Sequence, residues 1–299
     1  MCQTAAVTHP DAGSATGIAT ETETETETET ETQDLPVPVP VPLSFVAIGD
    51  SFTEGLDDPA VGSRGGFRGW ADRVAEQFAS VEPAFAYANL AVRGRKLDQI
   101  IDGQLPRALE LKPELVSLAG GTNDVLRPRV DLNLIGRRFQ DAVRQLRENG
   151  SQVVLFQSVY PTPRSRLIGR ALPRIKALTT IVEETAEQYQ CVVVRLWSAR
   201  IFAHPAMWSE DRLHLSSEGH ERVAGAVLEA LGLGDHAWSE DLDPYTVPPL
   251  RERLAADARW ARDHFGPWVG RRLRGVSSGD AVSAKQPELG PVTWIQRDG

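Results

Sequence analysis

Short apolar runs alternate with amphipathic helical stretches from Leu43 onward, and this alternation strongly constrains the fold. Each apolar run has the length of a strand, and the stretch after it repeats its apolar residues every three or four positions. Strands that alternate with helices in this way predict a mostly parallel sheet with helices on both faces. The predicted strands span residues 43–48, 84–91, 114–119, 153–159 and 191–197.

The predicted fold class is therefore α/β, a three-layer α/β/α sandwich with a flavodoxin-like five-stranded parallel sheet. The stripe Trp70, Val74 and Phe78 predicts the helix after the first strand. Gly103 and Pro106 weaken the helix predicted after the second strand. Asp131 is predicted to cap the third, whose inward residues are Leu134, Ile135, Phe139, Val143 and Leu146.

The chain divides into three segments by composition. Residues 1–42 form a low-complexity leader of Glu-Thr and Pro-Val repeats, which we expect to be disordered because it has no apolar face. Residues 43–235 hold the α/β pattern and form the predicted domain. Residues 236–299 are a predicted C-terminal extension with one amphipathic helix, between Leu250 and Phe265, and a flexible tail.

The charge distribution excludes some partners. The net charge is -9, but residues 1–42 carry eight acids and no Lys or Arg. The remainder has 32 basic and 41 − 8 = 33 acidic residues, so no nucleic-acid partner is predicted. There is no run of about 18 apolar residues, so no integral membrane segment is expected. The first twenty residues resemble no secretory signal, and the two cysteines are expected to be unpaired, which together favour a cytoplasmic location.

Polar residues follow three of the predicted strands. Ser51 ends the Gly49-Asp50-Ser51 sequence after the first strand, and Asn123 follows the third. Asp211 and His214 lie in the segment after the fifth, three positions apart, so both side chains can occupy one side of a turn. Because ligands bind beyond the carboxyl ends of parallel strands, we expect these side chains at one edge of the sheet.

Serine, histidine and aspartate are the components of nucleophilic acyl transfer. The serine hydroxyl needs a base near neutrality, and His214 with Asp211 as its partner meets that need. The tetrahedral intermediate also needs hydrogen-bond donors. The Ser51 amide, the Gly94 amide and the Asn123 side chain are the candidates for this oxyanion hole.

Four sequence blocks resemble those of the SGNH (GDSL-like) hydrolases. They are Gly49–Phe52, Asn89 followed by Gly94, Gly121–Asp124 and Asp211–Ser216, in the order of that family and over roughly residues 43–232. The resemblance implies Ser51 as nucleophile, His214 as base and Asp211 as its partner, with Ser51, Gly94 and Asn123 as oxyanion hole.

The predicted function is a serine esterase that hydrolyses lipid or small acyl esters through an acyl-serine intermediate, with no cofactor or metal. Its predicted partner is a small-molecule ester substrate, and the oligomeric state is left open. Two alternatives stay open: a thioesterase or acyltransferase variant, and a non-catalytic binding protein that kept the fold. Labelling of Ser51 by a fluorophosphonate would separate the enzyme from the binding protein.

Other residues have competing interpretations. His204 and His220 are rival bases, but His204 lacks a carboxylate at a useful spacing, and His220 is expected to face solvent or to contribute to packing in the last helix. Asp50 and Asp124 are expected to organise loops through bonds to the backbone. Arg93 and Arg95 flank Gly94 and suggest positive charge near the substrate. Core packing is expected for Trp70 and Trp197, whereas Trp208 is a candidate for the cleft.

Overall fold

The computed structural model describes residues 41–59, 66–127, 129–160, 166–267, 270 and 278–292. Almost all of the predicted leader lies outside these residues. The strands are β1 Ser44–Gly49, β2 Ala86–Asn89, β3 Leu115–Ala119, β4 Gln152–Phe156, β5 Val192–Val194 and β6 Gln286–Gly290. They form one sheet in the order β5-β4-β3-β1-β2-β6. The predicted fold class is confirmed, because β1 to β5 are parallel in the flavodoxin-like order 2-1-3-4-5.

Helices cover both faces of this sheet. The α-helices of the described residues are α1 Ser51–Glu54, α2 Gly69–Val81, α3 Leu97–Gly103, α4 Leu105–Leu111, α5 Thr122–Val125, α6 Leu132–Glu148, α7 Arg166–Tyr189, α8 Ser217–Ala230 and α9 Leu250–Trp260. The stretch with Gly103 and Pro106 forms two helices that break at Gln104. Among the described residues, no helix combines the length and apolar composition needed to cross a membrane.

The apolar residues of β1 alternate between two hydrophobic clusters, one on each face of the sheet. Phe45 and Ala47 pack in the cluster beneath α2 and α8, while Val46 and Ile48 pack in the cluster beneath α3, α6 and α7. All four side chains are almost fully buried. Burial on both faces explains why this strand is an unbroken apolar run, and it holds the end of β1 rigidly in the sheet.

Two details differ from the sequence prediction. Leu134 is 43% exposed, because the buried stripe of α6 runs through Ile135, Phe139 and Val143 and leaves Leu134 off that face. Part of the predicted flexible tail forms β6, which pairs antiparallel with β2. The sheet therefore has a sixth strand, contributed by the C-terminal extension and placed at the edge beside β2.

Candidate active site

Ser51 lies at the carboxyl end of β1, as the first residue of the short helix α1. Asp50 caps this helix, and its Oδ1 accepts a hydrogen bond of 3.1 Å from the amide of Phe52. Gly49 permits this close turn, because a Cβ there would lie 2.5 Å from the hydroxyl of Thr53 and 2.7 Å from the carbonyl of Ala119. A larger residue at position 49 would therefore displace the helix that carries Ser51.

Two buried side chains from other elements fix the end of β1 and the α1 turn. Gln104 accepts from the amide of Gly49 at 2.8 Å and donates to its carbonyl at 2.9 Å. Asn89, at the end of β2, donates to the carbonyl of Thr53 at 3.0 Å. Gln104 was not identified from the sequence. The feature that could have indicated it is its position at the break between α3 and α4.

Asp211 and His214 are carried by a loop that is closed by an isolated antiparallel bridge between Trp208 and Leu215. Oδ1 of Asp211 accepts from the amides of Leu213 at 2.8 Å and His214 at 2.9 Å. Arg212, between them, has a φ of +58°, a left-handed conformation that tightens the turn. The loop therefore places the carboxylate and the imidazole on the same side of one turn.

The structure brings Ser51, Asp211 and His214 together across 163 positions of sequence. Nδ1 of His214 lies 2.6 Å from Oδ2 of Asp211, and Nε2 lies 3.0 Å from Oγ of Ser51. An ionised carboxylate can only accept, so Nδ1 carries the proton of the first bond. Nε2 then has a lone pair and accepts from the serine hydroxyl, which is the arrangement needed to remove that proton.

The neighbouring carboxylates stabilise the imidazolium form of His214. Burial lowers the pKa of this imidazole, but the hydrogen bond and charge of Asp211, together with the charges of Asp57 and Asp50, outweigh burial and raise the pKa above its usual range. Burial would also raise the pKa of Asp211, but its hydrogen bonds to His214 and to the two backbone amides hold that pKa well below its usual range. Asp211 is therefore ionised near neutral pH.

Asn123 lies in α5, just beyond β3, and faces the same edge of the sheet. Its side-chain amide nitrogen is 3.0 Å from Oδ2 of Asp50 and 3.0 Å from the carbonyl of Arg95. Both of its N–H groups therefore have acceptors within the protein. Gly94 has a φ of +72° beside this carbonyl, a conformation that glycine adopts without strain. The Asn123 side chain is thus held by Asp50, which precedes Ser51, and by the carbonyl of Arg95, which follows Gly94.

The two aspartates expected to organise loops do make such bonds. Asp50 receives the Asn123 amide as well as the Phe52 amide, and burial raises its pKa to about 6, against the lowering effects of the Phe52 bond and of His214. Asp124 accepts from the amide of Leu97 at 2.9 Å, which ties α5 to the start of α3. Burial raises the pKa of Asp124 as well.

A cavity of about 190 Å³ opens beside Ser51 and His214. Its walls are mainly apolar and include Phe52, Leu56, Leu126, Phe156, Val159, Ile175, Trp208, Leu213 and Leu215. Asn123, Gln157 and Ser158 contribute polar groups. Trp208 lies in the wall, as the cleft interpretation predicts. Trp70 is fully buried in the core, and Trp197 is partly buried and contacts Tyr160 edge to face.

The rival histidines serve the surrounding structure. His220 is buried, accepts from the amide of Trp70 at 3.3 Å through Nδ1 and faces the carbonyl of Leu56 at 3.3 Å through Nε2. Of the two alternatives expected for His220, the packing role is the one observed and solvent exposure is wrong. His220 joins α8 to α2 and to the turn after α1. His204 accepts from the amide of Ala206 at 3.2 Å and caps a short 3-10 helix.

The arginines beside Gly94 do not line the cavity. Arg93 forms an ion pair with the buried carboxylate of Glu54, with Nε and Oε1 3.0 Å apart, and its guanidinium lies over the ring of Phe67. Arg95 reaches toward the carbonyl of Gly279. The suggestion of positive charge near the substrate is therefore wrong for Arg93, because Glu54 neutralises it.

One group of metal-ligand side chains occurs among the described residues: Asp57, Asp211 and His214, with donor atoms within 4.8 Å of one another. Nδ1 of His214 is the imidazole atom nearest both carboxylates, and its proton is shared with Asp211. A protonated nitrogen has no lone pair for a metal. The group is therefore accounted for as a hydrogen-bonded network, and we assign no metal to it.

Residues 47–222 match the model of the GDSL-like lipase/acylhydrolase family. The match covers more than half of the chain, and the chain belongs to this family. It is accordingly a carboxylic ester hydrolase. No curated protein matches the sequence significantly.

Solved structures with the same fold share little sequence with this chain. An α/β hydrolase, LAE5, from the metagenome of Lake Arreo in Spain is 22% identical, with a TM-score of 0.55 over 64% of this chain and 96% of LAE5. The acetylxylan esterase Axe2 from Geobacillus stearothermophilus is 20% identical, with a TM-score of 0.52 over 63% and 94%. The esterase EstA from Pseudoalteromonas is 14% identical, with a TM-score of 0.52 over 64% and 97%.

Proposed function

We propose that this protein hydrolyses esters of short acyl groups through an acyl-serine intermediate. The observation that carries the proposal is the position of His214, whose two ring nitrogens lie 3.0 Å from Ser51 Oγ and 2.6 Å from Asp211 Oδ2. A neutral imidazole in this position can accept the serine proton while Asp211 holds its tautomer and stabilises the imidazolium. Ser51 is the nucleophile, His214 the general base and Asp211 its partner.

In the first half-reaction, Ser51 Oγ forms a bond to the ester carbonyl carbon while its proton passes to His214 Nε2. The tetrahedral intermediate then breaks its bond to the alcohol oxygen, which leaves with the proton from His214. In the second half-reaction, water attacks the acyl-serine carbonyl and gives its proton to His214, and that proton returns to Ser51 Oγ as the acid is released.

The proposed oxyanion hole consists of the amides of Ser51 and Gly94 and the side chain of Asn123. Both N–H groups of Asn123 already have acceptors, Asp50 and the carbonyl of Arg95. The oxyanion must therefore replace one of them. A developing negative charge is a stronger acceptor than a neutral carbonyl, so the Arg95 carbonyl is the acceptor that we expect it to displace.

The acyl preference follows from the cavity. Its volume of about 190 Å³ is below the ~300–1,000 Å³ of pockets for drug-sized ligands, and its walls are mainly apolar. It therefore suits a short acyl group rather than a long lipid chain. Acetylated sugars are one such substrate class, and the similarity in fold to an acetylxylan esterase is consistent with it.

Hydrolysis of p-nitrophenyl esters from acetate to palmitate tests the proposal. We expect the highest kcat/KM for the shortest chains, and a fall of about three or more orders of magnitude for Ser51→Ala. Ser80→Ala is the matched control and should leave kcat/KM unchanged, because the Ser80 hydroxyl donates to the carbonyl of Gln77 within its own helix. A fluorophosphonate should label the wild type at Ser51. Activity of Ser51→Ala within tenfold of the wild type would refute the mechanism.

A further inference from the structure

A second carboxylate lies near the proposed base. Oδ2 of Asp57 is 3.9 Å from Nδ1 of His214, the same nitrogen that bonds Asp211. Asp57 follows α1, whereas Asp211 and His214 belong to the loop between β5 and α8. The imidazole is therefore flanked by negative charge from two separate parts of the chain.

The hydroxyl of Ser209 connects the two carboxylates. Its Oγ lies 2.7 Å from Oδ2 of Asp57 and 2.8 Å from Oδ1 of Asp211. A hydroxyl has one proton, so it can donate fully to one carboxylate at a time. Ser209 therefore holds two like charges close together, an arrangement that is favourable only when a positive charge lies beside them.

The backbone of Asp57 is unusual in a way that supports a role for its side chain. Its φ is +70°, in the left-handed region that residues other than glycine rarely adopt. Such conformations are strained for residues other than glycine and persist where the surrounding structure enforces them. In this conformation the carboxylate reaches Ser209 and His214.

Among the described residues, the other charged groups around His214 are mainly acidic, and none of them cancels the negative charge of Asp57. Asp211 and Asp50 also act on the imidazole as negative charges. The nearest cation along the loop, Arg212, is paired with Asp257 of α9 at 2.6 Å. The positive charge that forms on His214 during the reaction is therefore stabilised by neighbouring acidic groups. Among these groups, Asp57 is the one outside the four family-like blocks.

We propose that Asp57 is a positioning residue that stabilises the protonated state of His214, with Ser209 fixing the place of its carboxylate. The proposal rests on the proposed function, in which His214 is protonated in each half-reaction. Asp57 acts through His214 and does not contact the substrate. Its side chain is 34% exposed, so solvent weakens the effect without removing it.

Asp57→Asn tests this role, because Asn removes the charge and still tolerates a positive φ. NMR titration of the imidazole signals of the six histidines measures the effect without substrate. The His214 signal is assigned as the one that disappears in His214→Gln. We expect the His214 titration to move to lower pH by about 0.5–1 unit, from the Coulomb energy of two charges ~4 Å apart in a partly wet site. The acid limb of kcat/KM should move equally, and its plateau should fall roughly three- to tenfold. Asp102→Asn, which removes an exposed carboxylate on α3, is the control and should change neither.

Ser209→Ala is the second variant, and it is informative even if Asp57→Asn fails to fold. It leaves both carboxylates but removes their link, so the His214 titration should again move to lower pH, by a smaller amount. An unchanged His214 titration in the folded variants would overturn the proposal. Fluorophosphonate labelling of wild-type Ser51 distinguishes failure of the Asp57 role from failure of the proposed function. If Ser51 is labelled and the His214 titrations are unchanged, the role of Asp57 alone is refuted. If the wild type is neither labelled nor active, the proposed function is refuted.

Discussion

The indole of Trp260 donates a hydrogen bond of 2.7 Å to the main-chain carbonyl of Asp211. Trp260 ends α9, which lies outside the residues that match the family. The next residue of the loop, Arg212, pairs with Asp257 at 2.6 Å and lies over the Trp260 ring at 5.5 Å from its centre. The C-terminal extension therefore holds the loop that carries the proposed base and its aspartate.

Trp260→Phe should lower kcat/KM roughly two- to tenfold, because it keeps an aromatic ring but removes one hydrogen bond worth about 0.5–1.5 kcal/mol. The loss should be in kcat, because the bond orients Asp211 and makes no contact with substrate. Steady-state kinetics on a short-chain ester would measure it. Trp238→Phe is the control, because the Trp238 indole donates to the carboxylate of Glu229 away from the site. This variant should be less stable than the wild type but have the same kcat. Equal kcat for both variants and the wild type would contradict this role of α9.

The sequence predicted the parts of the site that depend on the sheet. Ser51 lies two residues beyond β1 and Asn123 four residues beyond β3, and parallel strands bring their carboxyl ends to one edge. Asp211 and His214 could be proposed because they lie within one turn of each other. These inferences need only local pattern and topology.

The residues that were missed act over long sequence separations and belong to no pattern. Trp260 reaches Asp211 across 49 positions, and Ser209 reaches Asp57 across 152. Lys285 reaches the carbonyl of Glu54 across 231, in a segment predicted to be a flexible tail. A short edge strand such as β6 has too few residues for a periodicity signal. Contacts of this kind follow from tertiary packing, which the sequence pattern does not contain.

Asn123→Ala should lower kcat by about 10²–10³-fold with little change in KM, as expected for loss of one oxyanion donor that acts mainly in the transition state. Steady-state kinetics on the preferred ester would give both constants. Asn149→Ala is the matched control, because its side chain donates to the carbonyl of Leu109 at a helix end away from the site. If the kcat of Asn123→Ala stays within threefold of the wild-type value, Asn123 is not a donor of the oxyanion hole.

Lys285→Met should destabilise the protein by roughly 3–5 kcal/mol, because it removes the cation beside Asp72 and the donor to two main-chain carbonyls. Burial already raises the pKa of Asp72 to about 7, against the lowering effect of Lys285. Lys285 contacts Asp72 and donates to the carbonyls of Glu54 at 2.7 Å and Arg68 at 3.0 Å. The Lys285 side chain is 4% exposed and that of Asp72 is fully buried. Urea unfolding would measure the free-energy change.

The double variant Asp72→Asn with Lys285→Met separates the loss of the cation beside Asp72 from the loss of the donor to the main-chain carbonyls. The asparagine side chain that replaces Asp72 keeps an acceptor for the hydroxyl of Tyr87 and removes the uncompensated charge. This replacement should recover part of the stability lost in Lys285→Met. A double variant less stable than the single one would show that the lysine acts through its bonds to the carbonyls rather than through Asp72.

Stability should fall in acid partly because of His220. Burial lowers the pKa of His220 to about 4, against the opposing charge of Asp58, while the unfolded chain has the usual value near ~6.5. The unfolded state therefore binds the proton first as pH falls. The contribution of neutral His220 is complete above about pH 6.5 and is lost as pH falls toward 4, at no more than about 1.4 kcal/mol per pH unit.

Urea unfolding of the wild type and of His220→Gln at several pH values between 7 and 4 measures the contribution of His220 to the pH dependence of stability. Glutamine offers a neutral acceptor and donor for the Trp70 amide and the Leu56 carbonyl but does not titrate. The stability advantage of the wild type should be largest at pH 7 and shrink steadily toward pH 4, whereas other groups, such as Asp50, affect both proteins alike. His236→Gln, at an exposed histidine paired with Glu229, is the control and should show no such convergence. An advantage that stays constant with pH would mean that His220 takes up its proton equally in the folded and unfolded chains.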